Sequence, residues 1–170
     1  MKKHIKKLLN IYFRYILLLL LAFLLPLFYK ILIPLTVYSV YLILNIFYNP
    51  VIMNNTIIIE NSGIEIINAC VAGSAYLLLL ILNLSTPMKK RTRILSIIFS
   101  LIILFLLNIF RILILYPLNQ TPYFDITHKF FWYFLSTIFV FLIWILTIKI
   151  FKIKKIPIYS DIKYLIKIRN

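Results

Sequence analysis

The stretch NACVAGSAYLLLLILNLSTPMKKRTRILSIIFSLIILFLLNIFR, residues 68–111, decides the fold. Two apolar runs, about 67–84 and 94–116, flank STPMKKRTR (85–93), which carries Lys89, Lys90, Arg91 and Arg93. Each run is close to the ~20 residues that an α-helix needs to cross a ~30 Å hydrocarbon layer. Short loops rich in Lys and Arg stay on the cytoplasmic side, so this loop lies inside. The stretch predicts a helix that enters the cytoplasm and a second that returns, with both open ends at the outer surface.

The rest of the chain has the same character. Hydrophobic residues make up 64% of its 170 residues and its mean hydropathy is +1.02. A soluble domain holds roughly 45–50% apolar residues, so lipid must replace water around most of this one. The net charge of +15 is not a nucleic-acid signal, because the bases sit in short clusters beside apolar runs, where they set topology and meet lipid headgroups. Five apolar stretches, at about 11–29, 31–48, 67–84, 94–116 and 130–148, predict an all-α, polytopic membrane helix bundle in a single domain, 1–155. The tail 156–170 spaces Ile158, Ile162, Leu165 and Ile166 between lysines, as in a short amphipathic helix on the cytoplasmic face.

Lys149, Lys152, Lys154 and Lys155 after the fifth stretch agree with an inner position, leaving segments 49–66 and 117–129 outside. Three of the four acids, Glu60, Glu65 and Asp125, fall in those outer segments. Upstream the signals conflict. Two crossings turning at Lys30 put the N-terminus outside, whereas MKKHIKK argues for inside. The alternative is an interfacial or re-entrant piece over 5–29, with Arg14 and Lys30 at the headgroups. Within MNNTIIIENSGIEII (53–67), two β-branched runs flank Asn61-Ser62-Gly63, which predicts an outer β-hairpin with Gly63 at positive φ, feeding into the Cys70 helix.

Three polar residues share the outer boundary. Asn68 is placed to cap the third helix, which puts Cys70, the lone cysteine, in a first turn where the helix dipole favours a thiolate. The plainer reading is a small hydrophobe among small residues that let helices pack closely. Asn108 and Arg111 share a face one turn before the outer end of the fourth helix. An arginine inside an apolar span either reaches the headgroups or serves a function, and an asparagine there either joins helices or serves the same site. His128 opens the fifth helix, with Asp125 three residues before it as a possible orienter; the alternative is an interfacial anchor. A thiol, a proton carrier and a fixed cation at one depth form the minimum set for acyl transfer. One cysteine, one placed histidine and scattered acids give no metal-ligand cluster, and no cofactor is expected.

The order of Cys70, then Asn108-Ile-Phe-Arg111 near the outer end of the next helix, then His128 at the start of the one after, resembles the exosortase and archaeosortase family of membrane transpeptidases. The likeness covers about 31–150. NACVAGSAY with its basic loop is most similar to the short archaeal, pacearchaeosortase-like branch. Many members carry Cys-x-Gly, whereas Val71 and Ala72 here separate Cys70 from Gly73. The resemblance implies Cys70 as nucleophile, Arg111 steadying substrate or oxyanion, and His128 as general acid/base. It also implies substrate proteins ending in a short motif, an apolar helix and a basic end, cleaved at the outer face of the cell membrane and transferred to a lipid or other amine. Membrane lipids are the other expected partners, and nucleic acid is not one. A different class also fits the residues: a non-catalytic membrane subunit or small transporter, with Arg111 as an anion or partner site.

Overall fold

The computed structural model describes residues 2–153 except 61, 120, 132, 134 and 135, together with Tyr159 and Ile166. The chain is mostly helical: α1 Lys2–Phe23, α2 Leu25–Leu44, α3 Gly73–Ser85, α4 Lys90–Leu115, α5 Phe124–Phe130 and α6 Ser136–Ile150. Leu25–Leu44, Asn68–Ser85 and Lys90–Leu118 are long and apolar enough to cross a membrane, and Ile11–Phe23 and Thr137–Ile150 are shorter apolar helices. The amphipathic tail expected over 156–170 lies outside the described residues, apart from Tyr159 and Ile166.

α4 shows why these helices assemble. One edge, Ile94, Ile98, Ile102, Leu106 and Phe110, is at least half exposed and faces what would be lipid. Small or polar residues, Ser96, Ser100, Asn108 and Arg111, are buried on the other side with Leu104. Helices in lipid gain little from burying leucine against leucine, so close packing and interhelical hydrogen bonds hold them together. In the half of the α3–α4 seam nearer the basic loop, Ser96 Oγ donates to Asn83 Oδ1 at 2.7 Å and Asn83 Nδ2 donates to Ser100 Oγ at 3.3 Å. All three side chains are fully buried. α6 packs on both α3 and α4.

The first two helices divide at Leu24, not at Lys30. Pro26 lies in the first turn of α2, where it has no N–H to give and its ring crowds the preceding turn. Leu24, at φ −85° and ψ 3°, takes the bend, while its carbonyl still accepts from Leu27 and Phe28. Lys30 stays within the second turn of α2. α1 and α2 run end to end and touch each other little; α1 packs on α3, and α2 on α3, α4 and the Cys70 turn. Arg14 of α1 lies within electrostatic range of Arg93 at the start of α4, and Tyr29 of α2 packs on Gly73 at the start of α3. The fifteen steps from Arg14 to Tyr29 rise ~22 Å, about the length of α3.

The outer segment folds as three antiparallel strands rather than one hairpin: β1 Val51–Met53, β2 Thr56–Ile59 and β3 Ser62–Glu65, in that order. Ile59 pairs with Ser62, so Ser62 and Gly63 belong to a strand and not to the turn that Asn61-Ser62-Gly63 suggests. Glu60 (φ 51°) and Asn54 (φ 55°) take the left-handed positions, and Gly63 is an ordinary strand residue opposite Ile58. Burial alternates along β2, and Ile57 and Ile59 pack down on a core that includes Val40, Leu44, Val71 and Leu79. The sheet therefore roofs the end of the bundle at which α3 begins and α4 ends.

The entry into α3 is also different. Asn68–Val71 is a 3-10 turn, Ala72 is left-handed at φ 53°, ψ 37°, and the α-helix starts only at Gly73. Asn68 makes no capping hydrogen bond, so Cys70 stands in front of the helix and not in its first turn. Gly73 has a steric reason. A Cβ there would lie 2.8 and 2.9 Å from Cζ and Cδ1 of the Tyr29 ring and closer still to its edge. Ala72 has none; an L-residue with a Cβ pays about 1–2 kcal/mol in the left-handed region. This is the position that carries glycine in Cys-x-Gly. Ala72→Gly is therefore expected to stabilise the protein by about 1 kcal/mol, raising the thermal midpoint in detergent by roughly 2–4 °C. An unchanged or lower midpoint would mean that the alanine is not strained.

Candidate active site

The bent entry to α3 leaves backbone carbonyls without helical partners, and α4 supplies them. Asn108 Nδ2 donates to the Cys70 carbonyl at 2.8 Å, and Arg111 Nη2 donates to the same oxygen at 2.9 Å and to that of Ala69 at 3.2 Å. Arg111 is 3% exposed and Asn108 4%. The arginine is thus turned into the protein, not up to the headgroups, and its first contact is the backbone of the cysteine itself. A charge-assisted bond is worth roughly twice a neutral one, so this clasp is a strong link between α3 and α4. The spacing Asn-x-x-Arg made a shared face legible; a backbone oxygen as its target has no signature in side-chain types.

The Cys70 thiol is half-buried, with Sγ 3.9 Å from the Glu65 carbonyl. It opens on a pocket of about 270 Å³ whose wall includes Arg111, His128, Tyr116, Asn119 and the β3 residues Gly63, Ile64 and Glu65. That is just under the ~300–1,000 Å³ of sites that enclose a drug-sized ligand, which suits a short piece of chain better than a large cofactor. Cys70, Arg111 and His128 therefore border one space. Among the described residues no hydrogen bond joins Sγ to the imidazole. Such bonds are often loose before substrate arrives.

His128 lies in α5, and the described backbone beyond it, at Phe131 and Tyr133, is π-helical on the way to α6. The His128 ring stacks on Phe124, with centroids 5.5 Å apart and planes 12° from parallel. Burial holds its pKa below the usual 6.5, the Arg111 charge pushes it the same way, and Asp125 opposes both. The imidazole is consequently neutral, and a base, across the neutral range. Asp125 is exposed and, among the described residues, forms no hydrogen bond or ion pair with His128; its influence is through charge alone. Asn119, which the sequence did not assign to the site, closes the rim by donating from Nδ2 to the Gly63 carbonyl at 3.0 Å. Tyr116 beside it meets Tyr48 edge to face at 5.8 Å, tying the α4 exit to the chain leaving α2.

The arrangement offers a nucleophile, a base and a buried cation around one small opening under a sheet. Comparison with known proteins bears on what it does. The family model described as transmembrane exosortase matches residues 6–149. No curated protein and no solved structure matches the chain.

Proposed function

The chain belongs to the transmembrane exosortase family, and from that premise we propose that it is a membrane cysteine transpeptidase acting on C-terminal sorting signals through a Cys70 thioester. The observation that carries the reading is the pocket bordered by thiol, guanidinium and imidazole. The Cys70 sulfur, its proton taken by His128, attacks the scissile carbonyl. The developing oxyanion is stabilised by the Arg111 charge in a site of low dielectric. The C–N bond then breaks, His128 returns the proton to the leaving amine, and the substrate's new C-terminus is held as a thioester. An amine, on a lipid or elsewhere, attacks that thioester, passes its proton through His128 and releases the thiol.

The pocket faces the extracytoplasmic side of the cell membrane in this reading, and the substrates are proteins with a C-terminal motif, an apolar span and a basic end. The Cys70 motif and short basic loop resemble the archaeal, pacearchaeosortase-like branch of the family. α1 and α2 together form one kinked crossing, with Arg14 near the inner face and Tyr29 near the outer. With such a crossing the basic N-terminus is cytoplasmic and residues 49–66 are outside, as the positive charge of MKKHIKK favours. Asp125 tunes His128 by its charge, and Asn108 holds the Cys70 turn in place.

The test is capture of the intermediate. With a co-expressed protein carrying such a C-terminal signal, the wild type is expected to yield an adduct on Cys70 that hydroxylamine releases; a hydroxylamine-resistant adduct, or one elsewhere, would sink the thioester. pH gives a second check. Since the lowered pKa of His128 keeps the base form populated below 6.5, the acid limb of kcat/KM is expected below that pH, rate being lost only as pH falls through the lowered value. His128→Gln should abolish that limb with the rate. A limb at or above 6.5, or one that survives the substitution, would assign the proton transfer to another group.

A further inference from the structure

The wall of the site contains a binding element that the thiol chemistry does not use. β3 is the edge strand on the pocket side. In an antiparallel pair, opposed residues alternate between exchanging both backbone hydrogen bonds and exchanging none. The Ile66 N–H donates to the Asn55 carbonyl at 2.9 Å, which sets the phase: Ile64 with Ile57 and Ser62 with Ile59 are the bonded pairs. Gly63 and Glu65 therefore turn their N–H and C=O groups to the open edge. Two independent contacts agree, since the Asn119 amide reaches the Gly63 carbonyl and the Cys70 sulfur lies by the Glu65 carbonyl. Among the described residues, nothing accepts from the N–H of Gly63 or Glu65.

We propose that β3 is the substrate-binding strand. An extended peptide segment adds to its open edge as a fourth strand, and main-chain hydrogen bonds to Gly63 and Glu65 carry the scissile carbonyl past Cys70. The inference rests on the acyl-transfer reading and adds what is recognised: an extended backbone, ahead of any particular side chain. Neighbouring strands lie ~4.8 Å apart, so a strand on this edge enters the pocket within reach of a sulfur already 3.9 Å from the edge carbonyl of Glu65. Residues two apart on a strand are ~6.6 Å apart, so the substrate residue held by Gly63 lies two positions from the one beside the thiol. The Asn119 amide holds the place of an incoming peptide N–H and is displaced by it.

Cys70 is the lone cysteine, so its alkylation reports on this edge without turnover. The purified full-length protein is treated with iodoacetamide and, separately, with an acetylated tetra-alanine chloromethyl ketone, from which the thiolate displaces chloride as the C–S bond forms. The ratio of the two rates measures what the peptide backbone contributes. The wild type is expected to favour the peptidyl reagent by about tenfold or more, and N-methylation of the amides that face β3 to remove roughly three- to tenfold of that. Gly63→Pro deletes only an outward N–H, leaving the ladder to β2 intact, and should match the N-methyl effect with an unchanged iodoacetamide rate. Gly63→Ala, whose Cβ would sit 3.4 Å from Thr56 Cγ2, should keep the preference. No preference in the wild type, no effect of N-methylation, or equal loss in the proline and alanine variants would overturn strand addition. A preserved preference without any acyl-enzyme would sink the transpeptidase reading alone.

Discussion

Cys70→Ala is expected to abolish processing, with a fall of at least about a thousandfold, while the protein still accumulates in the membrane fraction at its usual level. Removing the nucleophile of an acyl-transfer enzyme leaves only what binding and charge provide. The side chain contributes little to the fold, since its polar contact is a single sulfur–carbonyl approach of 3.9 Å at a half-buried position. Cys70→Ser should remain nearly inactive, because a hydroxyl is far less acidic than a thiol and a far weaker nucleophile than a thiolate, so His128 cannot activate it to the same degree. The measurement is conversion of a substrate carrying a C-terminal signal, followed by mass on gels, with insertion verified by extraction. Normal conversion by the alanine variant would end the catalytic interpretation of this pocket.

The second large effect belongs to Arg111. Arg111→Ala leaves the Ala69 carbonyl unpaired and the Cys70 carbonyl with Asn108 alone. A buried polar group deprived of its partner costs about 1–3 kcal/mol, so the variant is expected to unfold several degrees lower in detergent and to be inactive. Arg111→Lys is the more telling change. An ammonium keeps the charge but sits on a shorter, non-planar end group that cannot reproduce the position from which Arg111 Nη2 reaches both carbonyls. Activity is expected to fall about 10–100-fold with a smaller loss of stability. Asn108→Ala, which removes a neutral donor to the same oxygen, should weaken stability while sparing more of the rate than Arg111→Lys does. If Arg111→Lys were as active as the wild type, the guanidinium would be a structural tie and nothing more.

Which parts of this were legible follows from where the information lies. Hydropathy and the bases at 89–93 and 149–155 mark a membrane bundle, because lipid imposes length and charge asymmetry on sequence directly. The meeting of Cys70, Arg111 and His128 was readable from the same rules, since all three fall at outer ends of apolar runs. The helix break at Leu24 left a signal in Pro26, but the positive charge of Lys30 draws attention to the wrong turn. The left-handed Ala72 left no signal: alanine is the best helix former, and only the packing of Tyr29 against Gly73 and the clasp on the Cys70 carbonyl account for a bend just there. In the outer sheet, glycine and asparagine announced a turn near residue 61, yet the pairing of Ile59 with Ser62 gave the strained position to Glu60. Acceptors on the backbone, at residues 63, 65, 69 and 70, carry the site's geometry and are the same atoms in every amino acid.

The hairpin of α3 and α4 is fastened twice, by Asn83, Ser96 and Ser100 low in the seam and by Asn108 and Arg111 on the Cys70 turn above. A beam pinned at both ends does not hinge. The sulfur is therefore the fixed jaw of this site, and whatever gives way as a guest is seated must be the opposing jaw: the strands overhead, the rim at Asn119 and the seven-residue helix that bears the imidazole.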